Sequence, residues 1–102
     1  YGEAELKIIT YLYNTFRAIY QIQSHGSKNV FNIARDTGLY NQIIETYLNK
    51  TNIYETEDLI DILQLLRKCE TDIKSGKIDN SIVMDKCLVD IFFIYNGIYG
   101  ED

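Results

Sequence analysis

Apolar residues recur every third or fourth position through most of this chain, and the longest uninterrupted run of that pattern spans residues 56 to 76. Leu59, Ile62, Leu63, Leu66, Cys69 and Ile73 fall on one face of a helix, and Ile60 and Leu65 widen the stripe. Glu57, Asp58, Asp61, Arg67, Lys68, Glu70, Asp72 and Lys74 fall mostly on the opposite, solvated side, with Glu70 and Lys74 spaced for a surface ion pair. Thr56 is the expected N-cap, with Glu57 and Asp58 in the first turn; Lys74 and Gly76 supply the cation and the left-handed residue of a helix stop. So broad an apolar face is not stable alone, so the neighbouring segments are expected to be helices that cover it.

Residues 3 to about 24 predict a first helix with Leu6, Ile9, Tyr13, Phe16 and Tyr20 on one face and Ile8, Leu12, Ile19 and Ile22 on an adjoining one. A helix apolar over most of its girth is either central to a bundle or partly covered by another chain. Ser24 to Ser27 break it, with Gly26 available for a positive φ and His25 a loop residue for which no nucleophile or carboxylate partner is identifiable. A short helix, a turn at Gly38 and a second helix through about Asn49 follow, then a polar connector from Lys50 to Glu55. After Gly76, the segment KIDN predicts a turn with Asp79 or Asn80 capping a last helix, SIVMDKCLVDIFFIYNG. Only Asp85, Lys86 and Asp90 interrupt its apolar residues. Met84, Leu88, Ile91 and Tyr95 have core spacing, while the adjacent Phe92 and Phe93 point in different directions, so one of them is expected to face a partner. The predicted fold class is all-α, a compact bundle of about five helices in one domain covering residues 1 to 102.

A chain of 102 residues is long enough to bury roughly 60 to 70 per cent of its unfolded surface in one core. Hydrophobic residues make up 46% and charged residues 25%, and proline is absent, which suits helices. Ten Lys and Arg against fifteen Asp and Glu give a net charge of -5, which works against unspecific attachment to nucleic acid or to an anionic membrane. There is no signal-peptide pattern and no apolar run long enough to cross a bilayer, so a cytoplasmic chain with no membrane partner is expected. The first residue is Tyr1 rather than methionine, so the chain is expected to be a fragment of a longer protein.

Cys69 and Cys87 are expected to be free and buried, although similar heights on neighbouring antiparallel helices make a bridge geometrically conceivable. With the lone His25 they are too few to hold zinc. No glycine-rich phosphate loop, HExxH, CxxC or G-x-S-x-G occurs, so the sequence singles out no catalytic residue, cofactor, metal or small-molecule substrate. Within residues 30–49, Ala34, Gly38 and Ile44 have the spacing of a DNA-binding helix-turn-helix. Any tight helical hairpin needs the same small residue, glycine and aliphatic lock, and the would-be recognition helix LYNQIIETYLN contains no Lys or Arg to hold Asn41 and Gln42 against bases.

The order of these pieces resembles the C-terminal domain of the bacterial DNA polymerase III delta subunit, a component of the clamp loader. In that family a first helix with an aliphatic run and a Phe-Arg pair precedes a short "iA..lGl" hairpin, an acidic-capped leucine-rich helix closing on "D..iKxG.id", and an apolar last helix. The corresponding stretches here are IITYLYNTFRAIYQI with Phe16 and Arg17, NIARDTGLY with Ile33, Ala34, Gly38 and Leu39, ETEDLIDILQLL, TDIKSGKID with Asp72, Ile73, Lys74, Gly76, Ile78 and Asp79, and SIVMDKCLVDIFF. The match runs from about Leu6 to Phe93; the chain departs from the pattern in its tyrosine content and in the connector between Asn49 and Glu55.

The resemblance implies a helical collar module that packs beside the other clamp-loader subunits in a ring and is not itself catalytic. It implies contact with the sliding clamp and primed DNA only through the parent complex, and no ATP site in this part. Phe16, Arg17, Phe92, Phe93 and Tyr95 are the candidate residues for the interface with those subunits, although Arg17 is better explained as a solvated or intramolecularly paired residue than as a subunit contact. A helix-turn-helix DNA binder and an unrelated helical adaptor are the competing readings.

Overall fold

Helices form where the periodic stretches predict them: α1 (Glu3–Ser24), α2 (Val30–Thr37), α3 (Asn41–Tyr47), α4 (Thr56–Ser75) and α5 (Asn80–Tyr95). The computed structural model describes residues 2–50 and 54–95, and no strand occurs among them, so the all-α class holds. Part of the connector, residues 51–53, lies outside the described residues.

Local chemistry sets most of the boundaries. The Asn29 side chain accepts from the Asn32 N–H at 3.1 Å and opens α2, and Gly38 closes it in the left-handed conformation at φ 77. Gly76 closes α4 in the same way at φ 69. Asp79 opens α5, its Oδ1 accepting from the Ser81 N–H at 2.9 Å and the Ser81 hydroxyl at 2.5 Å. Lys74 and Glu70 pair at 3.1 Å as their spacing requires.

Two expectations fail. Thr56 does not cap α4; its hydroxyl lies one residue inside the helix and accepts from Gln23 Nε2 at 2.7 Å, tying the end of α1 to the start of α4. Gly26 does not take a positive φ, because the chain leaves α1 through an extended His25 (φ -73, ψ 137) and needs no left-handed residue there.

The core has two parts, and α1 runs through both. Ile9 on α1, Ile62, Leu66, Cys69 and Ile73 on α4, and Val83, Met84, Cys87 and Ile94 on α5 form the larger cluster, with Leu6, Leu12, Tyr13 and Phe16 packed against it. At the other end, Ile22 meets Ile33 of α2 and Ile44 of α3, all three fully buried. The two ends of α1 therefore serve different neighbours, the first part packing on α4 and α5 and Ile22 on α2 and α3, and its most extensive packing is on α4. Arg67 of α4 places its guanidinium 5.4 Å from the centre of the Tyr13 ring, a cation–π staple across that seam.

Gly2 brings the start of α1 against the α4–α5 turn, where an added Cβ would lie 2.5 Å from both Ile73 Cγ2 and Asn80 Nδ2. The molecule is a slab of 44 × 36 × 16 Å, in which α5 packs chiefly on α4 and to a lesser extent on α1.

Candidate interaction surface

The register of α5 decides which of its apolar residues remain outside. On a helix, positions 83, 87, 90 and 94 trace one stripe and 84, 88, 91 and 95 trace the next, about 100° away. The structure buries Val83, Met84, Cys87, Asp90 and Ile94. Leu88, expected in the core, is 47% exposed, and the side chain of Tyr95 lies outside the described residues. The polarity of Asp90 misleads in the sequence, because this residue sits inside at 8% exposure. Lys86 reaches over it from one turn back and pairs with its Oδ2 at 2.7 Å, so the buried charge is compensated.

With that stripe turned inward, Ile82 (60% exposed), Leu88, Val89 (48%) and Phe92 (58%) form an apolar outer face on α5. Asp85 is the charge among them. Phe93 is half-buried next to Phe92, the two rings tilted with centroids 6.1 Å apart, so the adjacent phenylalanines do point differently. Side chains of this size left half open present roughly 100 Å² each, or on the order of 400 Å² together, within the range of patches that mark interaction sites on small proteins.

The other two candidates are on α1 and behave differently from each other. Phe16 turns inward, half-buried against the larger core, with its ring edge-on to Tyr54 at 5.7 Å. Arg17, the next residue, is exposed, as expected of a solvated arginine on a long helix. Phe92 thus belongs to the outer face with Phe93 half-buried beside it, whereas Phe16 contributes packing. Ile82 and Val89 are not singled out by the sequence pattern, and only the position of Cys87 and Asp90 in the seam identifies them as outward-facing.

Residues 30–49 form a tight helical hairpin held by Ile33, Ile44 and Ile22, with Ala34 and Leu39 packed beside them. Asn41 and Gln42 are exposed at the start of α3, a helix of seven residues. His25 has a carboxylate neighbour that the sequence does not reveal: its Nε2 lies 2.8 Å from Asp36 Oδ2 at the end of α2. Because the Ser27 N–H donates to Nδ1 at 3.0 Å, the neutral ring carries its proton on Nε2 and donates it to Asp36. Arg35 Nε donates to the other oxygen of Asp36 at 2.9 Å. These bonds, first from Arg35 and then from His25, hold the Asp36 carboxyl below its ordinary value. The Ser27 hydroxyl accepts from Asn29 N–H and Asn32 Nδ2, so it helps lock the loop. The group joins the end of α1 to α2.

Among the described residues no cluster of three or more His, Cys, Asp or Glu has the arrangement of a metal site, and no helix is long and apolar enough to cross a membrane.

No curated protein and no solved structure matches this chain. A family model does: "DNA polymerase III delta subunit, C-terminal domain" matches residues 1–91. That range contains the first-helix Phe16–Arg17 pair, the Gly38 hairpin, the α4–α5 turn and most of the exposed apolar face of α5. The chain therefore belongs to the family formed by the C-terminal domain of the DNA polymerase III delta subunit, within the clamp loader.

Proposed function

We propose that this domain is a collar-type assembly module of the clamp-loader delta subunit in DNA replication, joining other loader subunits through the outer face of α5. The observation that carries this reading is the exposed row Ile82, Leu88, Val89 and Phe92 on a helix already anchored to α4 by Cys87, Asp90 and Ile94. An apolar row on a well-anchored helix can bind without first ordering its own backbone, which lowers the cost of association. On the order of 400 Å² is about half of what each side of a standard interface buries, so neighbouring residues such as Ile78 join the contact. The partners are the C-terminal domains of the other clamp-loader subunits in the cytoplasm. The sliding clamp and primed DNA are reached only through the parent complex, and the module performs no chemistry and binds no nucleotide.

The test is sedimentation of the domain alone and mixed with the C-terminal domains of the clamp-loader ATPase subunits. Co-sedimentation that is lost on changing Phe92 supports the assignment. A domain that stays monomeric with every loader partner overturns it.

A further inference from the structure

Two thiols face each other in the seam between α4 and α5. Cys69 and Cys87 are both free and buried, and both belong to the larger core cluster. Both also line a groove of about 210 Å³ that opens between the two helices, with Leu65, Ile82 and Val83 in its apolar wall. Their heights match: Cys69 stands seven residues before Gly76 (76 − 69) and Cys87 seven after Asn80 (87 − 80), on the two arms of an antiparallel hairpin. Packed helix axes lie ~8–10 Å apart and each Cα ~2.3 Å from its axis, leaving ~3.5–5.5 Å between directly facing Cα atoms. A disulfide spans ~4.4–6.8 Å between Cα atoms, so facing positions in such a seam meet that requirement with little movement. The two thiols are close enough for each to shift the other's ionisation through side-chain hydrogen bonding.

The geometry points to Cys69 and Cys87 as an oxidisable dithiol, a modification site at which a hydroperoxide converts the α4–α5 seam into an intramolecular disulfide. Cys69 is the attacking group. Hydrogen bonding with Cys87 holds its thiol below the usual value, with Lys68 assisting, against the opposing effects of burial and of Asp72 and Asp90. Cys87 is pushed up by the same bond and by burial, so it keeps its proton until the second step.

In the first step the Cys69 thiolate attacks one peroxide oxygen. The O–O bond breaks, an S–O bond forms, the sulfur is oxidised by two electrons, and the alkoxide or hydroxide leaves and is protonated. In the second, the Cys87 sulfur loses its proton and attacks Cys69 sulfur; the S–S bond forms as the S–O bond breaks and water leaves. The sum is two thiols and one hydroperoxide giving one disulfide, one alcohol (or water) and one water. The bridge closes a loop through the α4–α5 turn and fixes α5 to α4. It does not depend on what binds the outer face of α5.

The test treats the folded protein with hydrogen peroxide, quenches it, unfolds it in guanidinium and counts free thiols with a maleimide. The expected result is that neither cysteine labels after oxidation and both label after reduction, with the protein still monomeric on a non-reducing gel. A cross-linked peptide pair containing Cys69 and Cys87 is expected on digestion, and the oxidised form melts at a higher temperature than the reduced one. In Cys87→Ser, Cys69 accumulates instead as a dimedone-reactive sulfenic acid. Two labelled thiols after peroxide, sulfinic acid at Cys69 of the unaltered protein, or a bridge between two molecules would each overturn the inference.

Discussion

Phe92→Ala and Phe16→Ala test whether the outer face of α5 binds a partner or only tolerates exposure. A phenylalanine side chain covers about 200 Å², so at 58% exposure about 120 Å² of Phe92 stays open to a partner. Burying that area contributes about 3 kcal/mol, a change of more than about 100-fold in Kd when it is removed. Within the isolated fold Phe92 buries the remaining 80 Å² or so, part of which alanine retains, so the substitution costs the fold about 1 kcal/mol. Phe16 is the inverse case, turned into the larger core with its ring against Tyr54, and its truncation costs about 3 kcal/mol of stability. The assay pairs isothermal titration with a loader partner and thermal melting of the domain alone. Phe92→Ala is expected to lose binding with a small drop in Tm, and Phe16→Ala to lower Tm by tens of degrees or to abolish the fold. The reasoning fails if Phe92→Ala leaves Kd within about threefold, less than about 0.7 kcal/mol. It fails equally if that variant melts as early as Phe16→Ala.

Leu66, fully buried between α1, α4 and α5, loses about 2–5 kcal/mol on substitution by alanine, readable as a lower urea midpoint at unchanged slope. Gly76→Ala destabilises by about 1 kcal/mol even though nothing lies within 4 Å of the added methyl, because φ 69 strains any residue with a Cβ; calorimetry gives the shift. Asp36 and Asp79 carry carboxyl groups held below the ordinary 3.8, so their contributions to stability are present above that value and disappear as pH falls through the lower folded values. The stability difference between the native protein and Asp36→Asn is therefore expected to shrink on acidification below about pH 4, as followed by denaturant unfolding along a pH series. A constant difference across that range would show that Asp36 acts through shape rather than charge.

Much of the fold is legible along the chain because its signals are local. The spacing of Leu59, Ile62, Leu66, Cys69 and Ile73 fixes the buried face of α4, and Gly38, Gly76 and Asp79 mark boundaries through backbone geometry and hydrogen bonds that each residue largely makes by itself. The misplaced cap at Thr56 fails for the opposite reason: its hydroxyl has a partner 33 residues away, and a contact of that separation leaves no trace in the local pattern. A shorter but still non-local separation hides the carboxylate of His25, eleven residues on at the far end of α2.

The candidate surface is legible only as an excess. A helix apolar on every side, as α5 is, has no pattern from which a buried face can be chosen, and the stripe through Leu88 is as regular as the one through Cys87. Sequence by itself determined that the chain forms helices, where most of them begin and end, that α4 has one inward face, and that more apolar surface exists than one bundle of this size needs. Tertiary packing alone decided that α1 serves one core at each of its ends, that Asp90 lies inside under Lys86, and that Ile82, Val89 and Phe92 remain outside. Helix formation is settled by neighbours within a turn, whereas the rotation of a uniformly apolar helix is settled only by the shape and charge of whatever it packs against.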